Sequence, residues 1–196
     1  MPYLIFDLEM SGGKVGFNEI IQIGAVLADD NWKIISEFES LVYPENEEAY
    51  TKGAEEVHGI SIDDLEDAPM AFDVLESFEL WIRKSLKKRS DQDLTDIIVC
   101  GQSVINDVNF LQQKYNELNL KWPFSFKLID LMSLSFMFYQ IFDHNKIPRP
   151  KSYSLKAVSE YFKLERENDT HNALEDAKLT YFCFKKYMEL MVEIKL

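Results

Sequence analysis

Cysteine is nearly absent from this chain: two in 196 residues, Cys100 and Cys183, each inside an apolar run. They read as buried, reduced thiols of a cytosolic protein rather than as a disulfide. Glycine and proline are also sparse, at 7 and 6, and aromatics make up 13%, which excludes a disordered chain. No apolar stretch approaches the ~20 residues of a membrane span. Pro2 and Asp7 interrupt the first apolar run, so no secretory leader is expected. A cytoplasmic location away from membranes is the expectation. Neither an internal repeat nor a low-complexity segment is present. Positive charge is the last shortage, with 21 basic residues against 34 acidic and a net charge of −13. That argues against non-specific binding to duplex DNA through a large basic face. It leaves open an enzyme that meets phosphate through metal ions, because acids gathered at a metal site would themselves lower the charge.

The chain is 46% hydrophobic, enough for one core, so residues 1–196 are expected to form a single domain. Tyr3 to Glu9, Glu19 to Ala28 and Lys33 to Tyr43 read as strands. Their short links predict an antiparallel meander. Asn46 to Val57 is mixed, with a short helix stopped at His58-Gly59-Ile60. Met70 to Arg89 is an amphipathic helix. Its basic end (Arg83, Lys84, Lys87, Lys88, Arg89) reads either as a nucleic-acid patch or as cations favoured by the helix dipole. Asp96 to Gly101 predicts a buried strand, Gln102 to Leu118 a helix, and Phe126 to Ile129 a short strand. Asp130 is placed to N-cap a helix over Leu131 to Phe142. Helices over Ser154 to Phe162 and Asn172 to Ile194 complete the pattern. The fold class is therefore α/β, a mixed sheet with helices on both faces. The last helix leaves no spare tail for docking, so no stable protein partner is expected.

The first strand leads into Asp7 and Glu9. Side chains alternate across a strand, so both carboxylates point to one face. Two such charges repel and raise each other's pKa. A hard divalent cation would turn that cost into a binding site, although a solvated strand end fits the same residues. In Thr170-His171-Asn172-Ala173-Leu174-Glu175-Asp176, Asn172 and Glu175 resemble a capping box, so a helix should start at Asn172. Asp176 then lies in its first turns and His171 on the preceding loop. Residues five apart on a helix differ by about 140° in direction, so only a loop position lets His171 share a centre with Asp176. Separately, a surface histidine and a dipole partner would explain the same two residues. A third signal is Asp107, where a buried strand ending at Gly101 passes into a helix. In open α/β sheets such junctions line the functional crevice.

Asp7-x-Glu9, Asp107 before Phe110-Leu111, and His171 followed five residues later by Asp176-Ala177 together resemble the three motifs of the DnaQ-like DEDDh 3′–5′ exonucleases. The resemblance runs from Tyr3 to about Lys186 and includes Val57-His58-Gly59-Ile60, Ile129-Asp130-Leu131 and Tyr153-Ser154-Leu155. It implies a ribonuclease H-like fold, with three antiparallel strands followed by parallel ones. It also implies two divalent cations, Mg²⁺ or Mn²⁺, about 4 Å apart. Asp7 would bridge them, Glu9 and Asp176 would hold the first, and Asp107 would act on the second, partly through water. His171 would be the general base, since histidine takes up a proton near neutral pH. Met10, Ser11 and Phe110 are the expected substrate-binding residues, with Ser11 and the Met10 backbone near the terminal sugar. The basic loop Lys146 to Lys151 is a candidate for holding the strand backbone, and a plain solvated loop fits it equally.

There are departures from the family pattern. Gln102, Ser103 and Asn106 stand where the middle motif usually carries His-Asn and a Phe. Met10-Ser11-Gly12 is nearer to the oligoribonuclease branch, while the third motif and Val57-His58-Gly59 lean toward proofreading subunits. The implied activity is release of nucleoside monophosphates from the 3′ end of single-stranded DNA or RNA. An oligoribonuclease-like enzyme for short RNA is one alternative, and a catalytically silent domain that binds nucleic acid or protein is another.

Overall fold

The computed structural model describes residues 1–166 and 171–193. Thr170 of the third motif and Ile194, the expected end of the last helix, lie outside the described residues. Five strands form one sheet: β1 (Tyr3–Met10), β2 (Ile20–Ala28), β3 (Ile34–Leu41), β4 (Ile98–Gly101) and β5 (Leu128–Asp130), in the order β3-β2-β1-β4-β5. β1 and β3 each run antiparallel to β2, whereas β4 is parallel to β1 and β5 parallel to β4. This is the expected mixed sheet.

Helices α1 (Lys52–His58), α2 (Ala71–Ser85), α3 (Ile105–Glu117), α4 (Leu131–His144), α5 (Leu155–Tyr161) and α6 (Ala173–Glu193) complete the fold. They divide between the faces because the strands alternate. Leu4, Phe6 and Leu8 of β1 and Ile23, Ala25 and Leu27 of β2 pack against α2 and α3. Ile5, Val26 and Ala28 point the other way and join a second core with α4, α5 and α6. Asp7 and Glu9 continue the Ile5 face, so the period of two that builds the core also aims both acids toward α6. Each core is held by large buried rings, Phe78 and Tyr115 on one face and Tyr139, Tyr181 and Tyr187 on the other. Both cysteines are free and buried. No described helix is long and apolar enough to cross a membrane.

Several boundaries differ from expectation for local reasons. α3 starts at Ile105, not Gln102, because Ser103 adopts a left-handed φ of 51° and Asp130 Oδ2 accepts the Val104 amide at 2.8 Å. β5 begins two residues late: Phe126 is 85% exposed, and the Lys127 amide donates to Ser125 Oγ. α2 stops at Ser85, and Lys87 turns left-handed two residues beyond. Asn46 to Val57 resolves into a 3-10 turn (Glu47–Ala49) and α1, which Thr51 caps and left-handed Gly59 ends. The cap at Asp130 stands where expected, and Ser154, expected as the first helical residue, is instead the N-cap of α5; each accepts the amide three residues on.

Candidate active site

The carboxyl ends of β1 and β4 open into a cleft of about 510 Å³. Asp7, Glu9, Asp107, His171 and Asp176 all line it, with Met10, Gln102, Ser103, Asn106 and Tyr153. Segments far apart in sequence thus meet at one place, and a specific device aims each side chain.

Asp107 lies in the first turn of α3, and its Oδ1 accepts the Leu8 amide at 3.2 Å. That bond stitches α3 to β1 midway between Asp7 and Glu9. Asp176 depends on how closely α6 approaches the sheet. Asp7 faces Gly24 in the β1–β2 register. A Cβ at Gly24 would stand 2.0 Å from the Leu174 amide nitrogen and 2.1 Å from the Ala173 carbonyl carbon. The missing side chain is therefore what lets the start of α6 lie against β2. Gln22 accepts the Ala173 amide at 3.0 Å, and Asn172 caps the helix by accepting the Glu175 amide at 3.0 Å. Asn172 also donates to Glu39 of β3, as does Gln22, so the helix start is pinned to two strands.

His171 precedes the helix, as its spacing requires. Its amide donates to Val57 O at 3.2 Å, and its Nδ1 lies 3.2 Å from Asp176 Oδ2. The His58 ring behind it is buried, with Nδ1 accepting the Ile60 amide. Burial holds His58 toward its neutral form, and His171 nearby adds to that.

Crowding four acids here is costly. Burial pushes the Asp7 carboxyl well above the usual carboxylate range, and Asp107, Asp176 and Glu9 push it further. Glu9 rises to about 8, through burial first and then Asp176 and Asp107. Asp107 rises to about 7 through burial, opposed by its own amide and that of Leu8. Asp176 is raised by burial, against the pull of Arg166 and His171. One atom each of Glu9, His171 and Asp176 lie within 4.8 Å of one another. Glu9 Oε1 is buried and has no hydrogen-bond partner among the described residues. An oxygen-rich set with an orphaned carboxylate oxygen fits a hard divalent cation.

Two expected substrate contacts are placed elsewhere. Ser11 is fully buried; its hydroxyl accepts the Glu19 amide and its carbonyl accepts from Thr51. It shapes the loop after β1 and does not line the cleft. Phe110 is buried in the core of the α2–α3 face. Met10 does reach the cleft. In the basic loop, Arg149 is engaged by Asp143 at 2.9 Å and lies over the Tyr139 ring. At the end of α2, Arg83, Lys88 and Arg89 pair with Glu79, Asp96 and Asp91, which favours the reading without nucleic acid.

Gly24 and Arg166 escape the sequence reading. A glycine inside a β-branched strand does signal a close backbone approach. Arg166 grips Asp176 with Nε 2.7 Å from Oδ1 and Nη2 donating to Oδ2 at 2.8 Å. Its only advance sign is a cation five residues before His171.

Residues 4–184 match the RNase_T family of exonucleases. The DNA polymerase III PolC-type of Caldanaerobacter subterraneus subsp. tengcongensis is 28% identical over 192 residues, 98% of this chain and 12% of that protein. The 3′–5′ exonuclease DinG of Staphylococcus haemolyticus is 27% identical over 202 residues, 97% of this chain and 19% of its own length. The chain thus spans less than a fifth of either relative. Among solved structures, the nuclease domain of 3′hExo, a DEDDh family member bound to rAMP, superposes with a TM-score of 0.76 at 21% identity. The match covers 99% of this chain and 94% of that one. The fold is therefore the ribonuclease H-like one.

Proposed function

The chain belongs to the RNase_T exonuclease family, and from that premise we propose that it is a metal-dependent 3′–5′ exonuclease acting on single-stranded DNA or RNA. The observation that carries the reading is the convergence of Asp7, Glu9, Asp107, Asp176 and His171 on one cleft. Asp7, Glu9 and Asp176 would hold one divalent cation, with Asp7 and Asp107 serving a second. Bound cations of this kind supply charge stabilisation to the phosphoryl and leaving oxygens and ease formation of the attacking hydroxide.

The chain's own residues do the rest. His171 is the proton acceptor for the attacking water. Its Nδ1 faces Asp176 Oδ2 at 3.2 Å, which orients the ring and leaves Nε2 for the water. The side chain is 42% exposed, so a base placed there can return its proton to solvent. The Leu8 amide holds Asp107 in place. Met10, Gln102, Ser103, Asn106 and Tyr153 are the cleft residues available to the terminal nucleotide. One relative is a DNA polymerase and one neighbour holds rAMP, so both sugars stand as substrates, with an oligoribonuclease-like preference for short RNA as the second reading.

The test uses 5′-labelled single-stranded DNA and RNA of several lengths with Mg²⁺ or Mn²⁺. Stepwise shortening from the 3′ end is expected, with block by a 3′-terminal phosphate. Cleavage of a circular single strand would overturn the exonuclease reading, and no cleavage of either polymer would leave a silent binding domain.

A further inference from the structure

We propose that Arg166 is a built-in substitute for the first cation, capping Asp176 while the carboxylates are bare and swinging aside when a divalent ion takes them. The inference rests on the metal-dependent reading above and concerns how this chain sets its metal affinity.

Three observations carry it. The first is competition for the same atoms. The guanidinium engages both oxygens of Asp176, at 2.7 and 2.8 Å, and Asp176 is the residue that shares a 4.8 Å donor cluster with Glu9 and His171. The guanidinium hydrogen-bonds Oδ2 and sits within ion-pair distance of Oδ1, so its charge covers both carboxylate oxygens. An ion bound there at about 2 Å would need the space the guanidinium fills. The second is charge. Arg166 lines the cleft together with Asp7, Glu9, Asp107 and Asp176, so its guanidinium brings positive charge to the acids where an ion would bring its own. The third is somewhere to go. Arg166 also lines a neighbouring cavity of about 330 Å³, with Lys156, Ser159, Glu160, Leu164, Glu165 and Leu179, where two carboxylates stand against one ammonium. Glu160 and Glu165 are two carboxylates that can receive a displaced guanidinium. Arg166 lies outside helix and strand, so its backbone is not held by a ladder.

The test measures Mn²⁺ binding to the metal-stripped full chain by calorimetry, in wild type, Arg166→Gln and Arg166→Lys. A hydrogen-bonded ion pair of this kind corresponds to a ~10-fold or greater competition. Arg166→Gln should therefore bind Mn²⁺ ~10-fold more tightly than wild type, with Arg166→Lys between them. Its metal-stripped form should melt lower than wild type, and its melting point should rise more on adding Mn²⁺. Equal or weaker Mn²⁺ binding by Arg166→Gln, with wild type binding normally, overturns the inference and leaves the metal site standing. Failure of wild type to bind Mn²⁺ overturns the metal reading and the inference with it. Arg166→Lys keeps a cation in place, so if Arg166→Gln does not fold, an unchanged affinity in Arg166→Lys overturns the inference by itself.

Discussion

The two faces of β1 are built from one strand yet do opposite work. Leu4, Phe6 and Leu8 are at most 4% exposed and belong to the apolar core that α2 and α3 cover. On the other face Ile5 joins a core, but Asp7 and Glu9 follow it and are pushed up the pH scale by burial and by one another. Burial at ~25 cal/mol per Å² of apolar surface stabilises the first face. The second face spends stability on holding charges together. The difference teaches that the acid cluster is affordable because the same strand is clamped by the apolar side, and that the two functions can be separated by mutation.

The sharpest break is Asp7→Asn. Exonuclease activity should be lost, and Mn²⁺ should no longer raise the melting temperature by mass action. The metal-stripped protein should be at least as stable as wild type, because a crowded acid is gone. His171→Ala should lose turnover by ~10²–10⁴ and keep the Mn²⁺-induced rise in melting temperature. Near wild-type turnover in His171→Ala would make it a surface residue, and a lost metal response would make it a ligand.

Next in size are two stability effects on opposite faces. Phe78 is fully buried against Phe38, Trp81 and Phe124. Phe78→Ala should cost about 3–5 kcal/mol in urea unfolding, with Mn²⁺ affinity unchanged in the folded protein. Gly24→Ala should cost less, about 1–3 kcal/mol for forced overpacking, yet weaken Mn²⁺ binding because it displaces the start of α6 and Asp176 with it. Equal metal affinity in Gly24→Ala and wild type would show that α6 accommodates the methyl and that Gly24 does not set the site.

This contrast also marks what the chain's sequence makes legible. Alternation in β1, the Asn172 cap and the Asp130 cap are local, so the aim of Asp7 and Glu9 and the loop place of His171 can be read directly. Ser11 and Phe110 cannot, because their neighbours, Glu19, Thr51 and the α2–α3 core, are set by packing between distant segments. Gly24 and Arg166 matter only through α6 and Asp176, 150 and 10 residues away in the chain. Nearness in sequence did not help for Arg166, since nothing local distinguishes a buried ion pair from a solvated charge.

The smallest effect expected per unit of pH is the most specific to the acid face. A carboxyl whose pKa is higher folded than unfolded binds more protons in the folded state between the two values. Stability from that group is fully present below the unfolded value and is lost as pH rises through the folded one. Glu9 goes from 4.5 to about 8 and Asp107 from 3.8 to about 7. The metal-stripped protein should therefore become less stable from roughly pH 4 to 8 and level off beyond. One titrating group contributes at most about 1.4 kcal/mol per pH unit, and coupled acids share that change, so a slope on the order of 1 kcal/mol per unit is expected. Metal binding requires the same protons to leave, so Mn²⁺ affinity should climb across this range and the loss of stability should be offset when Mn²⁺ is present. Urea unfolding at several pH values checks it in wild type, Glu9→Gln and Phe78→Ala. Glu9→Gln should flatten the slope, while Phe78→Ala should lower the whole curve and leave the slope as it was. A metal-stripped protein that gains stability between pH 5 and 8, or a Glu9→Gln slope equal to wild type, would mean that the buried acids are not strained and that the two faces of β1 differ only in composition.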